Sequence, residues 1–176
     1  MSIRTLSSRV VYENPWLRLR EDEIERPDGG RGVYALVEKP DFAVVVPWDG
    51  EAVTLVGQYR YTLGRHTWEL PQGSVEDAAT PEEVARTELA EETGLRAGAL
   101  RHLGRFDGAV GMSSQGFHAW VATDLEQGER RPEAEEVDMT TRRVTPGELE
   151  RMILEGELTD GHSVAAWAVT RMTGAL

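Results

Sequence analysis

The apolar positions of this chain follow three rhythms, and each predicts a different kind of element. Residues 42–46 read FAVVV, an unbroken apolar run that suits a strand buried on both faces. Around Trp16 the period is two: Trp16, Arg18 and Arg20 alternate with Leu17, Leu19 and Glu21. The β-prone stretch Arg9-Val10-Val11-Tyr12 precedes it. The strong turn Pro27-Asp28-Gly29-Gly30 and a returning strand, Val33–Val37, follow, so residues 8–38 predict an antiparallel strand unit. Further strands are predicted at Val53–Tyr61, after an Asp49-Gly50 turn, and at Thr67–Leu70, Leu100–Phe106 and Phe117–Ala122.

The third rhythm is helical. Thr80-Pro81 opens a helix: threonine caps the free amides, proline is tolerated at the first helical position, and Glu83 completes a capping box. Gly94 stops it. Thr145-Pro146-Gly147-Glu148 repeats that grammar for a helix reaching Glu155, stopped by Gly156. Asp160 can cap a third, roughly Gly161–Thr173, with Val164, Ala165, Trp167, Ala168 and Met172 on its apolar face. Trp167 reads as core, and His162 as a surface or capping residue. Breaks are expected at Pro71-Gln72-Gly73, at Asp107–Gln115 (DGAVGMSSQ) and at Gln127–Glu136 (QGERRPEAEE). The order of strands, box helix, strands and two more helices implies an α/β fold with a mixed sheet between helical layers.

The first helix carries the candidate chemistry. Glu88, Glu91 and Glu92 crowd its last two turns. At about 100° per residue, Glu92 lies about 40° to one side of Glu88 and Glu91 about 60° to the other. All three are expected to reach one sector of the helix surface, with no basic residue in the final turn to relieve their repulsion. Clustered carboxylate oxygens suit a hard divalent cation, Mg²⁺ or Mn²⁺, shared with phosphate. Without further context the same cluster reads as a solvated acidic helix face.

The context is specific. Trp68-Glu69-Leu70-Pro71 leads into Gly73, and Glu88, Leu89, Glu91, Glu92, Gly94 and Leu95 follow at fixed spacing. This stretch resembles the Nudix box, the signature of hydrolases that cleave a nucleoside diphosphate linked to another group. It departs at two positions: Ala79 and Thr87 stand where the family has a glutamate and an arginine understood to brace the helix against its loop. The segment Gln58-Tyr59-Arg60 and the N-terminal strands resemble the ADP-ribose pyrophosphatase branch. The resemblance implies a Nudix α/β/α sandwich over residues 39–176, preceded by an antiparallel hairpin unit over 1–38 that packs across a homodimer.

The resemblance also implies roles. Glu88 and Glu92 would be the main side-chain metal ligands, with Glu91 contributing directly or through water, and the backbone carbonyl of Gln72 a further ligand. A glutamate in the loop that leads into Glu136-Val137-Asp138-Met139-Thr140, at or beside the first residue of that motif, would orient or deprotonate water, with Glu136 the first choice and Glu135 the second; Glu91 is a further catalytic candidate. Arg60 and Glu69 are candidate substrate-site residues, with Arg60 a pyrophosphate clamp, or else the two form a structural ion pair. Trp16 is a candidate for stacking on a base, or else an apolar anchor of the hairpin. Met112, in the small-residue loop, is a candidate for shaping substrate choice. The implied activity is metal-dependent hydrolysis of a nucleoside diphosphate sugar, with ADP-ribose first. Gln72 leaves dinucleoside polyphosphates as an alternative, and Ala79 with Thr87 leaves a weakly active nucleotide sensor.

Bulk properties narrow the setting. The 176 residues are 40% hydrophobic and 28% charged, an ordinary globular balance. A net charge of −12 argues against a nucleic-acid polymer as partner, though not against a small phosphorylated substrate. No apolar run approaches a membrane span, no secretory leader is evident, and cysteine is absent, which together lead to the expectation of a cytoplasmic protein without thiol chemistry.

Overall fold

The run at 42–46 forms β4 (Phe42–Pro47), every residue of which is buried. Its side chains alternate between two cores. Phe42, Val44 and Val46 join one cluster, Ala43 and Val45 the other. An unbroken apolar run is what this position demands, because neither face meets water. The structure, a computed structural model, describes residues 2–75, 79–130 and 138–176.

Four strands make the sheet around β4. It lies parallel to β9 (Gly116–Gln127) from Phe42 opposite Phe117 to Pro47 opposite Ala122. It lies antiparallel to β7 (Gln72–Ser74), which sets Gly73 opposite Ala43. β8 (Leu95–Asp107) completes the order β7-β4-β9-β8, so the sheet is mixed. A second sheet joins β5 (Val53–Arg60) to β6 (Arg65–Glu69) on one side and β10 (Thr140–Val144) on the other.

Helices cover both faces. α1 (Pro81–Thr93) buries Val84, Ala85 and Leu89 against Ala43, Val45, Trp120 and Ala122. On the other face, α2 (Pro146–Glu155) contributes Leu149 and Met152, and α3 (Gly161–Met172) contributes Ala166 and Trp167, to the larger core. The result is the α/β/α sandwich with a mixed sheet anticipated from the sequence. Leu89 is fully buried, and its truncation to alanine would cost roughly 2–5 kcal/mol.

The N-terminal segment is a three-stranded antiparallel sheet, β1 (Arg4–Asn14), β2 (Leu17–Glu25) and β3 (Arg31–Glu38), the strand unit expected there. The compact unit built on it spans Met1–Asp41 and takes in Asp107–Gly116. That loop is tied to β3 and the residues after it: Val37 donates to the Met112 carbonyl at 2.8 Å, Ser113 Oγ to the Val37 carbonyl at 2.8 Å, and Gln115 Nε2 to the Pro40 carbonyl at 2.7 Å.

Two local expectations change. Pro71-Gln72-Gly73 is not a plain break: Val45 donates to the Pro71 carbonyl at 2.9 Å, and the next three residues pair with β4 as β7. β8 and β9 also run well beyond the predicted 100–106 and 117–122, because their outer stretches are half exposed and carry polar residues that blur the alternation.

Candidate active site

The box helix starts and stops where its sequence dictates. The Thr80 side chain accepts from the Glu83 amide while the Glu83 carboxylate takes the Thr80 amide at 2.7 Å, and Gly94 ends the helix at φ 76°. Ala79 and Thr87 are both exposed, so neither the missing glutamate nor the missing arginine leaves a buried charge behind. Arg86 supplies a different tie. It pairs with Glu82 one turn earlier at 2.9 Å and donates from NH1 to the Ala97 carbonyl on β8 at 3.1 Å. Beyond the C-terminus, Gly128 donates to the Gly94 carbonyl at 2.8 Å. Capping, packing and these ties hold α1 against the sheet.

That placement sets two of its carboxylates against the loop that enters it. A Cβ built on Gly73 would lie 1.8 Å from Glu88 Oε1, so the glutamate occupies the space a side chain would take. Glu92 is only 2% exposed and accepts from the Gln72 amide at 3.1 Å. Glu91 lines a cleft between α1 and β8 with Thr87, Arg96 and Glu129.

Arg60, at the end of β5, and Glu69, at the end of β6, share one face of the strand pair, with Arg60 opposite Arg65 and Glu69 opposite Val56, and the long arginine side chain reaches back along that face to the carboxylate. The guanidinium holds Glu69 in a fork. Nε lies 2.8 Å from Oε1 and 3.1 Å from Oε2, and NH2 also bonds Oε2. Glu69 is 2% exposed, whereas the Arg60 side chain is 38% exposed. The bond to Glu69 raises the Arg60 pKa most; burial works against it, and the charges of Glu69, Asp160 and Glu92 add to the rise. The arginine stays charged, with the box carboxylate Glu92 within its electrostatic reach.

A second carboxylate joins this group from α3. Asp160 caps that helix, accepting from the Ser163 amide at 2.9 Å and the Ser163 hydroxyl at 2.6 Å. Burial pushes its carboxyl up, but the hydrogen bonds from His162 and Ser163 outweigh that and hold it at about 2. Ser163 Oγ in turn accepts from the Leu70 amide at 2.8 Å, fixing the approach to the box loop. The Gln72 side chain bridges the two acids, donating from Nε2 to Glu69 at 2.8 Å and to Asp160 at 3.4 Å. Sequence reasoning placed His162 only at a helix start. Its ring lies edge-on to Phe42 at 4.7 Å between centroids, with Nδ1 3.3 Å from Asp160. Asp160 forms the cap expected of it, but that capping position gave no sign that Asp160 and Ser163 join the site.

Glu135 and Glu136, the loop carboxylate candidates, lie outside the described residues. Trp16 and Met112 belong to the N-terminal unit. Trp16 sits on the tight turn between β1 and β2, where Asn14 Oδ1 accepts from its amide at 2.9 Å, and is 70% exposed. The Met112 side chain is also exposed.

Among the described residues, no group of three or more His, Cys, Asp or Glu side chains is arranged to hold a metal ion. The donor set nonetheless fits Mg²⁺ or Mn²⁺. Such ions are commonly held by one or two carboxylates, with water and substrate phosphate completing the shell. Glu88, cradled on Gly73, and the buried Glu92 supply that pair.

The fold and this site define a hydrolase of the α/β/α type that acts on pyrophosphate bonds. The chain belongs to the Nudix family: residues 38–166 match the family model of the NUDIX domain, and residues 3–37 match the nucleoside diphosphate sugar hydrolase N-terminal domain. An ADP-ribose pyrophosphatase of Mycobacterium tuberculosis is 35% identical over 165 residues, covering 92% of this chain and 79% of the relative. An ADP-ribose pyrophosphatase of Bacillus subtilis is 26% identical, covering 98% and 95%. A CMP-5'-(N-acetyl-N-hydroxy-3-aminopropyl)phosphonate hydrolase of Streptomyces rubellomurinus is 30% identical, covering 95% and 82%. The crystal structure of an ADP compounds hydrolase superposes with a TM-score of 0.88 at 20% identity, covering 98% of this chain and 94% of that one, which establishes the likeness of fold. No helix among the described residues is long and apolar enough to cross a membrane.

Proposed function

We propose that the protein hydrolyses a nucleoside diphosphate sugar, ADP-ribose first, to a nucleoside monophosphate and a sugar phosphate, with Mg²⁺ or Mn²⁺. The observation that carries this reading is the seating of Glu88 on Gly73 and of Glu92 on the Gln72 amide, within reach of the Arg60 charge. The substrate class follows from the match of residues 3–37 to the nucleoside diphosphate sugar hydrolase N-terminal domain, and ADP-ribose from the names of the Mycobacterium and Bacillus relatives.

In this reading Glu88 and Glu92 hold the cation, with Glu91 and the Gln72 carbonyl as further ligands. Bound there, a divalent cation supplies charge stabilisation to phosphoryl oxygens and acidifies water. Arg60 keeps one edge of its guanidinium on Glu69 and steadies the pyrophosphate with the other. Glu136, or Glu135, takes the proton of the attacking water. Water is added across the P–O–P bond: its oxygen joins one phosphorus, and the bridging oxygen leaves with the other. Trp16 stacks on the base and Met112 shapes substrate choice.

We also infer a homodimer formed through the N-terminal sheet. β1 exposes Val10, Val11 and Tyr12 consecutively, so both faces of this edge strand offer apolar surface.

The test is to incubate the pure protein with Mg²⁺ and a panel of ADP-ribose, GDP-mannose, NADH, diadenosine polyphosphates and coenzyme A. Monophosphate release fastest from ADP-ribose is expected. Preferred release from dinucleoside polyphosphates would overturn the substrate assignment, and binding without release would indicate a sensor.

A further inference from the structure

Gln72 occupies a position where the backbone is already accounted for by β7 pairing and by the bond to Glu92, yet its side chain is not idle. Its Nε2 stands 2.8 Å from Glu69 Oε2 and 3.4 Å from Asp160 Oδ2. These are two carboxylates of like charge, both largely withdrawn from water: Glu69 is buried and Asp160 nearly so. A primary amide carries two N–H groups and no charge, so it can serve both acids at once without neutralising either. A lysine or arginine there would compete with Arg60 for Glu69.

Glu69 is the orienting partner of Arg60. It takes the Nε and NH2 edge of the guanidinium, and among the described residues NH1 donates no hydrogen bond. A fork held on one edge fixes the plane of the whole group, because guanidinium is rigid and planar. Oε2 of Glu69 receives both Arg60 and Gln72, so the amide fixes the rotation of the carboxylate that fixes the arginine. The chain of contacts runs from α3, through Asp160 and Gln72, to Glu69 and then Arg60.

We propose that the side-chain amide of Gln72 is a positioning residue. It locks Glu69 in the orientation that presents the NH1 edge of Arg60 to the diphosphate of the substrate. This rests on the reading of Arg60 as a contact of the substrate phosphates. Gln72 then acts on affinity through Arg60, separately from any part its main chain takes in holding metal.

The test is a double-mutant cycle on ADP-ribose affinity, measured by calorimetry with chelator present so that no turnover occurs. Gln72→Met keeps length and removes both donors; Gln72→Ala serves as a second variant should the methionine perturb folding, and melting temperatures are recorded for all. Losing a hydrogen bond to a charged group is expected to weaken binding by about tenfold in Q72M, and Arg60→Ala by at least as much. In the R60A background, Q72M is expected to have almost no further effect, since coupled residues do not add. Multiplicative losses would overturn the proposal while leaving Arg60 as a phosphate contact. Unchanged affinity in R60A, or no measurable binding by the wild type, would overturn both. Absence of turnover with affinity and coupling intact would remove the hydrolase reading alone.

Discussion

Gly73 has no side chain because Glu88 fills its place. A Cβ there would meet the Glu88 carboxylate along its whole end, from Oε1 at 1.8 Å to Cγ at 2.7 Å. Gly73→Ala must therefore push Glu88 away from the loop. Displacing a group that orients a metal ligand is expected to weaken metal affinity roughly 10–100-fold. Mg²⁺ titration of the G73A and wild-type proteins checks this, and equal affinities would separate Glu88 from the cation. At this scale the acids of the box helix were legible because their types and spacing are local. The Gln72–Asp160 contact was not, since it joins residues 88 apart in sequence through a side chain that pattern reading treats as loop. Nor was the cleft that Glu91 lines, since β8 supplies its other wall.

Elements are held by caps and by turns that fix their ends. Both capping boxes were readable from Thr-Pro-x-Glu, and both form with the full reciprocal pattern. Thr80→Ala is expected to cost about 1 kcal/mol, lowering the melting temperature by roughly 2–4 °C in a chain of this size. A drop within error would show that α1 is held by its packing and by Arg86 alone. The β4–β5 turn offers a pH test. Asp49 Oδ1 accepts from the amides of Glu51 and Ala52, and Arg143 Nε reaches Oδ2 at 2.5 Å. The Arg143 bond, aided by those amides and opposed by burial, holds the carboxyl at about 2, below its ordinary 3.8. A depressed folded pKa adds stability above the ordinary value, and that stability fades as pH falls through the folded value. Stability should therefore decline between about pH 4 and pH 2, with a smaller decline in Asp49→Asn; equal acid sensitivity of the two proteins would contradict this. β7 escaped prediction because Pro71 and Gly73 signal a break, while its pairing depends on β4 arriving from 30 residues earlier in register.

For the whole molecule, the layered order followed from the alternation of strands and capped helices, and the twofold burial of β4 from its unbroken apolar run. The membership of 107–116 in the N-terminal unit did not, because it is set by bonds to the main chain of Val37 and Pro40 that leave no pattern in either segment. The exposed apolar residues of β1 lead to the expectation of a particle of twice the 19.6 kDa chain mass in light scattering, reduced toward one chain by Val11→Glu; a wild-type monomer at micromolar concentration would exclude the dimer. The proposed function rests on the helix whose two acids, Glu88 and Glu92, meet the glycine loop. The direct measurement is the initial rate of ADP-ribose hydrolysis across a Mg²⁺ series for the wild type and Glu92→Gln, with melting curves alongside. Metal-dependent release of AMP by the wild type, and its abolition in a folded E92Q, is the predicted result; near-normal turnover by E92Q would contradict the assignment.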